Sequence, residues 1–228
     1  MKKALSLLIS LLLACGCALA ESPLVSVTIS DGQGNIVMAN AEIELTDADG
    51  DGALTVYDAL FAAHETGFDG GAAAGFAAED QGYGLSITRL WGEENGGSYG
   101  YCVNDASAYS LADPLADGDN LHAYVYTDLE AWSDTYCYFD APAVAAAPGE
   151  AVALTLTALT YDADWNAVPV PVEGATILID GAESDAVTAA DGTVSLSFES
   201  AGSYLISARS ADLTLVPPVC TVTVAEAE

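Results

Sequence analysis

The chain has 228 residues, of which 34 are acidic and four are basic, so its formal net charge at pH 7 is −30. Such a charge disfavours nucleic acids and anionic membrane surfaces as partners. Hydrophobic residues make up 52% of the chain, too large a share for a disordered protein, so we expect folded domains.

The first twenty residues have the pattern of an export signal. Lys2 and Lys3 precede an apolar run over residues 4–14, and residues 18–20 offer a small-residue cleavage site. The run is too short to span a bilayer. In an alternative interpretation a lipoprotein signal is cleaved before Cys15, which then carries a lipid. Either way we expect a secreted protein or one held at the cell surface.

Two strands are predicted next, followed by an acidic segment with the ligand spacing of a calcium loop. Apolar residues alternate over 25–29 and again over 43–45. Residues 47–58 read DADGDGALTVYD and place oxygen ligands at positions 1, 3, 5 and 12, a backbone carbonyl at 7 and a water-mediated ligand at 9. Glycine occupies position 6, and Leu54 would anchor the loop to a core. The predicted Ca²⁺ ligands are Asp47, Asp49, Asp51, Ala53, Thr55 and Asp58.

The alternative interpretation of this segment is an acidic turn without an ion, since Asp and Gly favour such turns on their own. Asp58 is one methylene shorter than the usual bidentate glutamate. Aspartate at position 12 resembles the calcium loops of dockerin modules, which bind cellulosome scaffolds, but dockerins have two loops and this chain has one. A second acidic stretch, 162–166, lacks the glycine and precedes Pro169 and Pro171. We interpret it as an ordinary connection between strands.

A short amphipathic helix is predicted directly after the acidic segment. Apolar residues over 56–63 have the i, i+3, i+4, i+7 spacing of a buried helix face, and Gly67 would end the helix. His64 would interact with the negative end of this helix. The small-residue segment 69–76 is predicted to be a loop, and it is a candidate for binding a small ligand near Gly75.

Strands are predicted again at 85–87, 99–103 and 121–125. This half of the chain resembles the transcobalamin-like C-terminal domain of secreted bacterial proteins. The matching pieces are TVYDALFAA at 55–63, GYGLSITRLWG at 82–92, GSYGYCVND at 97–105 and PLADGDNLHAYVY at 114–126. The resemblance implies a β-grasp-like fold, with one helix on a small mixed sheet. It also suggests a corrinoid ligand, although no ligand-contact residue carries over to this chain.

The composition changes after Phe139. Residues 141–149 are predicted to be a linker between a first domain over 21–140 and a second over 150–228. Short alternating strands separated by Gly, Asp and Pro turns are predicted at 152–156, 177–179, 194–198, 204–206 and 219–224. This half resembles a bacterial immunoglobulin-like sandwich, of the kind that spaces or displays domains on cell surfaces. The predicted fold class is α+β followed by all-β.

Three cysteines remain after removal of the signal, namely Cys102, Cys137 and Cys220. In an oxidising compartment a disulfide between Cys102 and Cys137 is one interpretation, with Cys220 left over. The other is that all three are buried small apolar residues. No CxxC spacing or histidine cluster indicates a zinc site.

Nothing in the sequence indicates an enzyme. After removal of the signal the chain has no lysine, two histidines and no GxSxG, HExxH or phosphate-binding loop. His64 has the structural role given above, and His122 is predicted on a solvent or sheet face. Glu93 and Glu94 are predicted in a solvated loop rather than as the acid pair of a glycosidase.

Aromatic residues offer a binding surface in one interpretation and a small core in the other. They are Trp91, Tyr124, Tyr126, Trp132, Tyr136 and Tyr138. We therefore predict a secreted or cell-surface non-catalytic binding or structural protein that calcium stabilises. The alternative is an extracellular protein that binds a small ligand, such as a corrinoid, or a carbohydrate. The partner would be an extracellular protein, a glycan or a small molecule.

Overall fold

The computed structural model describes residues 22–82 and 84–226. The predicted signal peptide and Cys15 lie outside the described residues. The described chain is mostly β-structure, with sixteen strands and two short helices. None of its helices is long and apolar enough to cross a membrane.

The first half contains seven strands and both helices. They are β1 (Leu24–Ser30), β2 (Ile36–Glu44), α1 (Val56–Gly67), α2 (Gly71–Gly75), β3 (Ala77–Asp80), β4 (Leu85–Arg89), β5 (Tyr99–Val103), β6 (Ala106–Ser107) and β7 (Asn120–Val125). Five strands form a mixed sheet in the order β2-β1-β7-β5-β6, in which β1 and β7 are parallel. Strands β3 and β4 form a separate pair.

Helix α1 packs against the mixed sheet and closes the core of the first half. Val27 and Ile29 on β1, Leu121 on β7 and Leu60 on α1 have no solvent exposure and belong to the same buried cluster. Alternation on the strands and the helical spacing on α1 bring these apolar faces together. The predicted helix and the predicted strands of this half are confirmed.

Helix α2 occupies most of the segment that we predicted to be a loop over 69–76. Gly70 and Gly71 have positive φ values, +89° and +69°, which let the chain reverse after α1. Gly75 lies against the Phe68 ring, where an added Cβ would be only 2.6 Å from the ring carbons. The small residues of this segment therefore serve close packing of the two helices.

The second half contains nine strands. They are β8 (Cys137–Phe139), β9 (Ala143–Ala146), β10 (Ala151–Tyr161), β11 (Ala167–Pro171), β12 (Thr176–Ile179), β13 (Ala182–Val187), β14 (Thr193–Ser197), β15 (Gly202–Arg209) and β16 (Cys220–Val224). One sheet has the order β11-β10-β14, with β8 also pairing to β10, and the other has the order β13-β12-β15-β16-β9. Alternating buried residues from both sheets form one core.

Part of the predicted linker is a strand. Within residues 141–149, strand β9 pairs in parallel with β16, and Cys137 and Phe139 on the preceding β8 belong to the core of the second half. The second half therefore begins to pair before residue 150. The domain limits given above remain a prediction.

The two halves share a third buried cluster, which we call the junction cluster. It consists of Cys102, Tyr124, Tyr136, Leu159 and Val216, with Tyr126 and Tyr138 partly buried at its margin. Around it, the Tyr136 hydroxyl donates to Asp105 at 3.0 Å and the Asn40 amide donates to the Pro142 carbonyl at 2.9 Å. The halves are thus in direct contact.

Candidate metal centre

The acidic segment connects β2 to α1, and three of its carboxylates converge. Asp47, Asp49 and Asp58 each place a ligand oxygen within 4.8 Å of the others, with Asp47 and Asp49 exposed and Asp58 buried. Asp51 does not belong to this group, and its carboxylate instead accepts the Ala53 N–H at 2.8 Å. The structure therefore brings together three of the four predicted carboxylate ligands.

Backbone hydrogen bonds to Asp47 shape the loop. Its carboxylate accepts the N–H groups of Gly50 at 2.7 Å, Asp51 at 3.1 Å and Gly52 at 3.0 Å. Gly50 and Gly52 have φ values of +78° and +87°, a region that glycine enters without steric cost. These residues wrap the chain around the first predicted ligand, as the sequence pattern requires.

Asp58 joins the loop to the helix. It is fully buried at the third position of α1, and one of its oxygens accepts both the N–H and the hydroxyl of the N-cap residue Thr55, each at 2.8 Å. The other oxygen accepts the Ala48 N–H at 2.8 Å. This is a capping box with aspartate in place of glutamate. The predicted ligand Thr55 thus directs its hydroxyl to Asp58.

The donor set suits a hard cation. Carboxylate oxygens are the ligands that Ca²⁺ and Mg²⁺ prefer, and the carbonyl of Ala53 and water molecules would complete the coordination. Burial, followed by the charges of Asp49 and Asp58, raises the pKa of Tyr57 on the same helix. A divalent cation would relieve the repulsion between the three carboxylates. A metal ion at this cluster is compatible with the structure.

Both histidines are buried in the structure. His64 Nε2 accepts the Trp91 N–H at 3.0 Å, so Nδ1 carries the proton and donates to the Leu60 carbonyl at 2.6 Å. Burial lowers its pKa. Because Nε2 accepts and Nδ1 donates, the imidazole is neutral and bridges two segments. As predicted, it lies in the last turn of α1, where its N–H donates to a helix carbonyl.

Of the two locations predicted for His122, the structure shows the sheet face, where the residue is buried beside the junction cluster. Its Nε2 lies 3.1 Å from the Ser30 hydroxyl, and its ring packs edge-on against Tyr124 and Tyr136. Burial lowers its pKa to about 4. The alternation pattern located the residue on a strand. It did not indicate that β8 and the segment before it cover this face of the sheet.

Most of the aromatic residues that we considered as a binding surface fill the interior. Tyr124 and Tyr136 are buried, and Trp91, Tyr126 and Tyr138 are partly buried against the cores or the junction cluster. Of the six, Trp132 alone is mostly exposed, at 58%. The core interpretation is therefore correct for five of them.

Gly75, near which we predicted a small-ligand site, packs closely against two aromatic rings. The Phe68 ring and the His64 ring both lie within 3 Å of where a Cβ of Gly75 would be. Glu93 accepts the Gly32 N–H at 3.1 Å and Glu94 pairs with Arg89 at 2.7 Å, so each carboxylate has a partner within the fold.

All three cysteines of the described chain are free and buried. Burial raises the pKa of Cys102 to about 12 and of Cys220 to about 11, and it raises that of Cys137 as well. The interpretation as buried thiols is confirmed, and the disulfide between Cys102 and Cys137 is not formed. Thiols with such pKa values are poor nucleophiles and poor metal ligands.

An exposed aromatic pair is present where we predicted only a connection. Residues 162–166 do connect β10 to β11, as predicted. However, Trp165 in this turn is 82% exposed and Tyr161 at the end of β10 is 46% exposed. The sequence signal for this pair was the tryptophan in the acidic turn DADWN. A solvent-exposed turn does not require so large an apolar side chain.

Comparisons with known proteins give little. No model of a known protein family matches the sequence, and no curated protein matches it. One solved structure, the N-terminal four Ig domains of Dscam1 isoform 6.9, is similar at 10% identity and a TM-score of 0.24, over 65% of this chain and 36% of that chain. The chain thus covers about a third of that protein's resolved length, and the likeness is too distant to support an argument.

Proposed function

We propose that the protein is a calcium-stabilised extracellular module with a non-catalytic binding or structural role. The observation that carries this proposal is the convergence of Asp47, Asp49 and Asp58 within 4.8 Å at the start of α1. Calcium is the preferred ion because the segment has the ligand spacing of a calcium loop. Extracellular fluids supply this ion at the concentrations that weak sites require.

The ion would act as a staple between the loop and the helix. Asp47 and Asp49 come from the exposed loop, while Asp58 is fixed inside the capping box of α1. A cation shared by them would hold the end of β2 to the first turn of α1. Since α1 closes the core of the first half, this contact would raise the free energy of unfolding of that half. Binding to the folded state alone stabilises it by mass action.

For the fold, we propose a β-grasp-like first half and an immunoglobulin-like second half. The strand order β2-β1-β7-β5, with the two parallel strands in the centre and α1 packed on the sheet, supports the first assignment. Two facing sheets with a shared core support the second. No observation at Gly75 supports a corrinoid carrier, since the Phe68 and His64 rings pack directly against this glycine.

Calorimetric titration with CaCl₂ tests the metal centre, with Asp49→Ala as the variant and Asp164→Ala as its control. Asp49 and Asp164 both follow an Asp-Ala pair in an exposed acidic turn, but only Asp49 belongs to the carboxylate cluster. We expect one ion per chain with a dissociation constant on the order of 10⁻⁴ to 10⁻³ M. Asp49→Ala should weaken binding at least about tenfold, and Asp164→Ala should leave it unchanged. Equal binding by all three proteins would refute the proposal.

A further inference from the structure

The hairpin between β10 and β11 presents two aromatic rings to solvent. The ring centroids of Tyr161 and Trp165 lie 6.4 Å apart, with their planes inclined by 46°. The Tyr161 hydroxyl is hydrogen-bonded to the Ser107 hydroxyl of the first half at 2.5 Å. One ring is therefore fixed at the contact between the two halves, and the other stands beside it on the turn.

Folding does not account for the tryptophan in this turn. Trp165 has a φ of +64°, where glycine or asparagine is favoured and a larger side chain is strained. The Asp162 carboxylate closes the turn by accepting the N–H groups of Asp164 and Asn166, both at 2.9 Å. These bonds do not need the indole, which remains 82% exposed. The Tyr161 ring is the aromatic neighbour of this indole.

Trp132 provides a useful contrast. It also has a positive φ, +56°, and is 58% exposed. However, its ring lies 5.8 Å from that of Tyr126, which is already partly buried against the junction cluster. Trp132 therefore packs against a partly buried ring, whereas Tyr161 and Trp165 are both exposed to solvent.

The charge around the open pair indicates which ligand it would accept. The exposed carboxylates of Asp162 and Asp164 flank it. Within residues 22–82 and 84–226 the basic side chains are Arg89 and Arg209, and each is paired with a glutamate of its own chain, Glu94 and Glu183. The pair therefore lies in a negative field without a neighbouring cation. An anionic ligand would be repelled and a cationic one attracted.

Aromatic faces bind cations, Trp most strongly, when the cation lies within about 6 Å of the ring centroid. Because the two centroids are 6.4 Å apart, one guanidinium group would lie within that range of both rings. A planar guanidinium also stacks on an aromatic face and pairs with a carboxylate, as an ammonium group does less well. Asp164, next to Trp165, is available for such a pair.

We propose that the Tyr161–Trp165 pair docks an arginine side chain in a basic segment of a partner protein. This inference rests on the proposed binding role and names its partner class. It does not depend on the metal centre, which lies in the other half of the chain. The guanidinium would stack on the exposed face of Trp165 beside the Tyr161 ring and pair with Asp164, while the overall charge of the module would attract the basic segment.

The test uses a short acetylated peptide with two arginines separated by glycine, titrated into the protein in saturating calcium and followed by NMR or calorimetry. Trp165→Gly removes the ring and suits the backbone, and Trp132→Gly is the matched control at another exposed tryptophan of positive φ. We expect Trp165→Gly to weaken peptide binding about fivefold and Trp132→Gly to leave it unchanged. Replacing arginine by its uncharged isostere citrulline should weaken binding to the parent.

Four results would overturn the inference. They are equal peptide binding by the parent and Trp165→Gly, equal loss in both glycine variants, equal binding of the citrulline peptide, and Trp165-dependent binding of a neutral oligosaccharide instead of the peptide. A thermal midpoint of Trp165→Gly at or above that of the parent shows that the variant is folded. If Asp49→Ala no longer binds calcium but keeps the Trp165-dependent peptide binding, both proposals are supported and the docking site does not depend on the metal. If calcium never binds and the peptide does, the metal proposal alone fails.

Discussion

At the scale of single residues, Asp58 has two roles that the sequence pattern does not separate. It is a predicted calcium ligand, and its carboxylate also accepts three hydrogen bonds from Ala48 and Thr55 at the start of α1. Asp49, by contrast, accepts one bond, from the Asp51 N–H. The two residues should therefore respond differently when calcium is removed.

Asp58→Ala should lower the free energy of unfolding by about 2 kcal/mol even in chelator, because it removes a helix cap and leaves buried N–H groups without a partner. Asp49→Ala in chelator should stay within about 0.5 kcal/mol of the parent, as exposed substitutions usually do. Urea unfolding of both variants in excess EDTA measures this difference. An Asp58→Ala variant as stable as the parent would contradict the capping role.

A second residue-scale prediction concerns pH. Burial lowers the pKa of His122 to about 4 in the folded protein, while an unfolded histidine has a pKa of about 6.5. Below pH 6.5 the unfolded chain binds the proton more tightly, so the stability that the neutral imidazole provides is present above pH 6.5 and is lost as the pH falls towards 4. The loss is on the order of 3 kcal/mol at pH 4.

His122→Gln keeps a polar side chain but cannot titrate, so it should reduce the fall in stability between pH 6.5 and 4. His64, whose pKa burial also lowers, contributes a fall of the same sign in both proteins. Asp105 acts in the opposite direction, because burial raises its pKa. Urea unfolding at several pH values compares the two proteins. Identical slopes would show that His122 does not titrate in this window.

At the scale of elements, helices and strands with a strong hydrophobic period could be predicted from the sequence. Elements without such a period could not. Helix α1 and strands such as β1 and β10 have apolar residues that face a core, so their periods are visible. Strand β11, AVPVP, is almost wholly exposed, and α2, GAAAG, has no apolar stripe. Strand β11 forms because it pairs with β10, and α2 forms through close packing of small residues. Neither cause is visible in the spacing of apolar residues within the segment.

The candidate site shows the same limit. Spacing alone indicated Asp47, Asp49 and Asp58, because the ligands of a calcium loop are close in sequence. It did not indicate that Asp51 lies apart from the cluster, since this depends on how the backbone turns at Gly50 and Gly52. The burial of His122 and the exposure of Trp165 were also missed, because each depends on which distant segment covers a strand or turn.

Strands β5 and β7 give an element-scale prediction. Gly100 on β5 pairs with Tyr124 on β7, and a Cβ at Gly100 would overlap the Tyr124 ring. Gly100→Ala should therefore lower the free energy of unfolding by about 1–3 kcal/mol through overpacking. In a Tyr124→Leu background the same change should cost less, because the shorter side chain leaves room. Additive costs in the double variant would rule out this contact as the reason.

At the scale of the whole molecule, each half has its own hydrophobic core and the junction cluster lies between the halves. The chain as a whole is strongly acidic. The junction brings His122, Tyr124 and Tyr136 together from both halves. It contains no disulfide, since Cys102 remains a buried thiol. Packing therefore holds the two halves together, while the proposed metal staple lies in the first half and the proposed arginine-docking pair in the second.

The most direct test of the metal staple is a thermal melt of residues 21–228 in calcium and in chelator, for the parent, Asp49→Ala and Asp164→Ala. The parent and Asp164→Ala should both unfold at a higher temperature in calcium, because the ion binds only the folded loop. The midpoint of Asp49→Ala should not change. Midpoints that calcium leaves unchanged in the parent, or raises equally in Asp49→Ala, would contradict a calcium site at Asp47, Asp49 and Asp58.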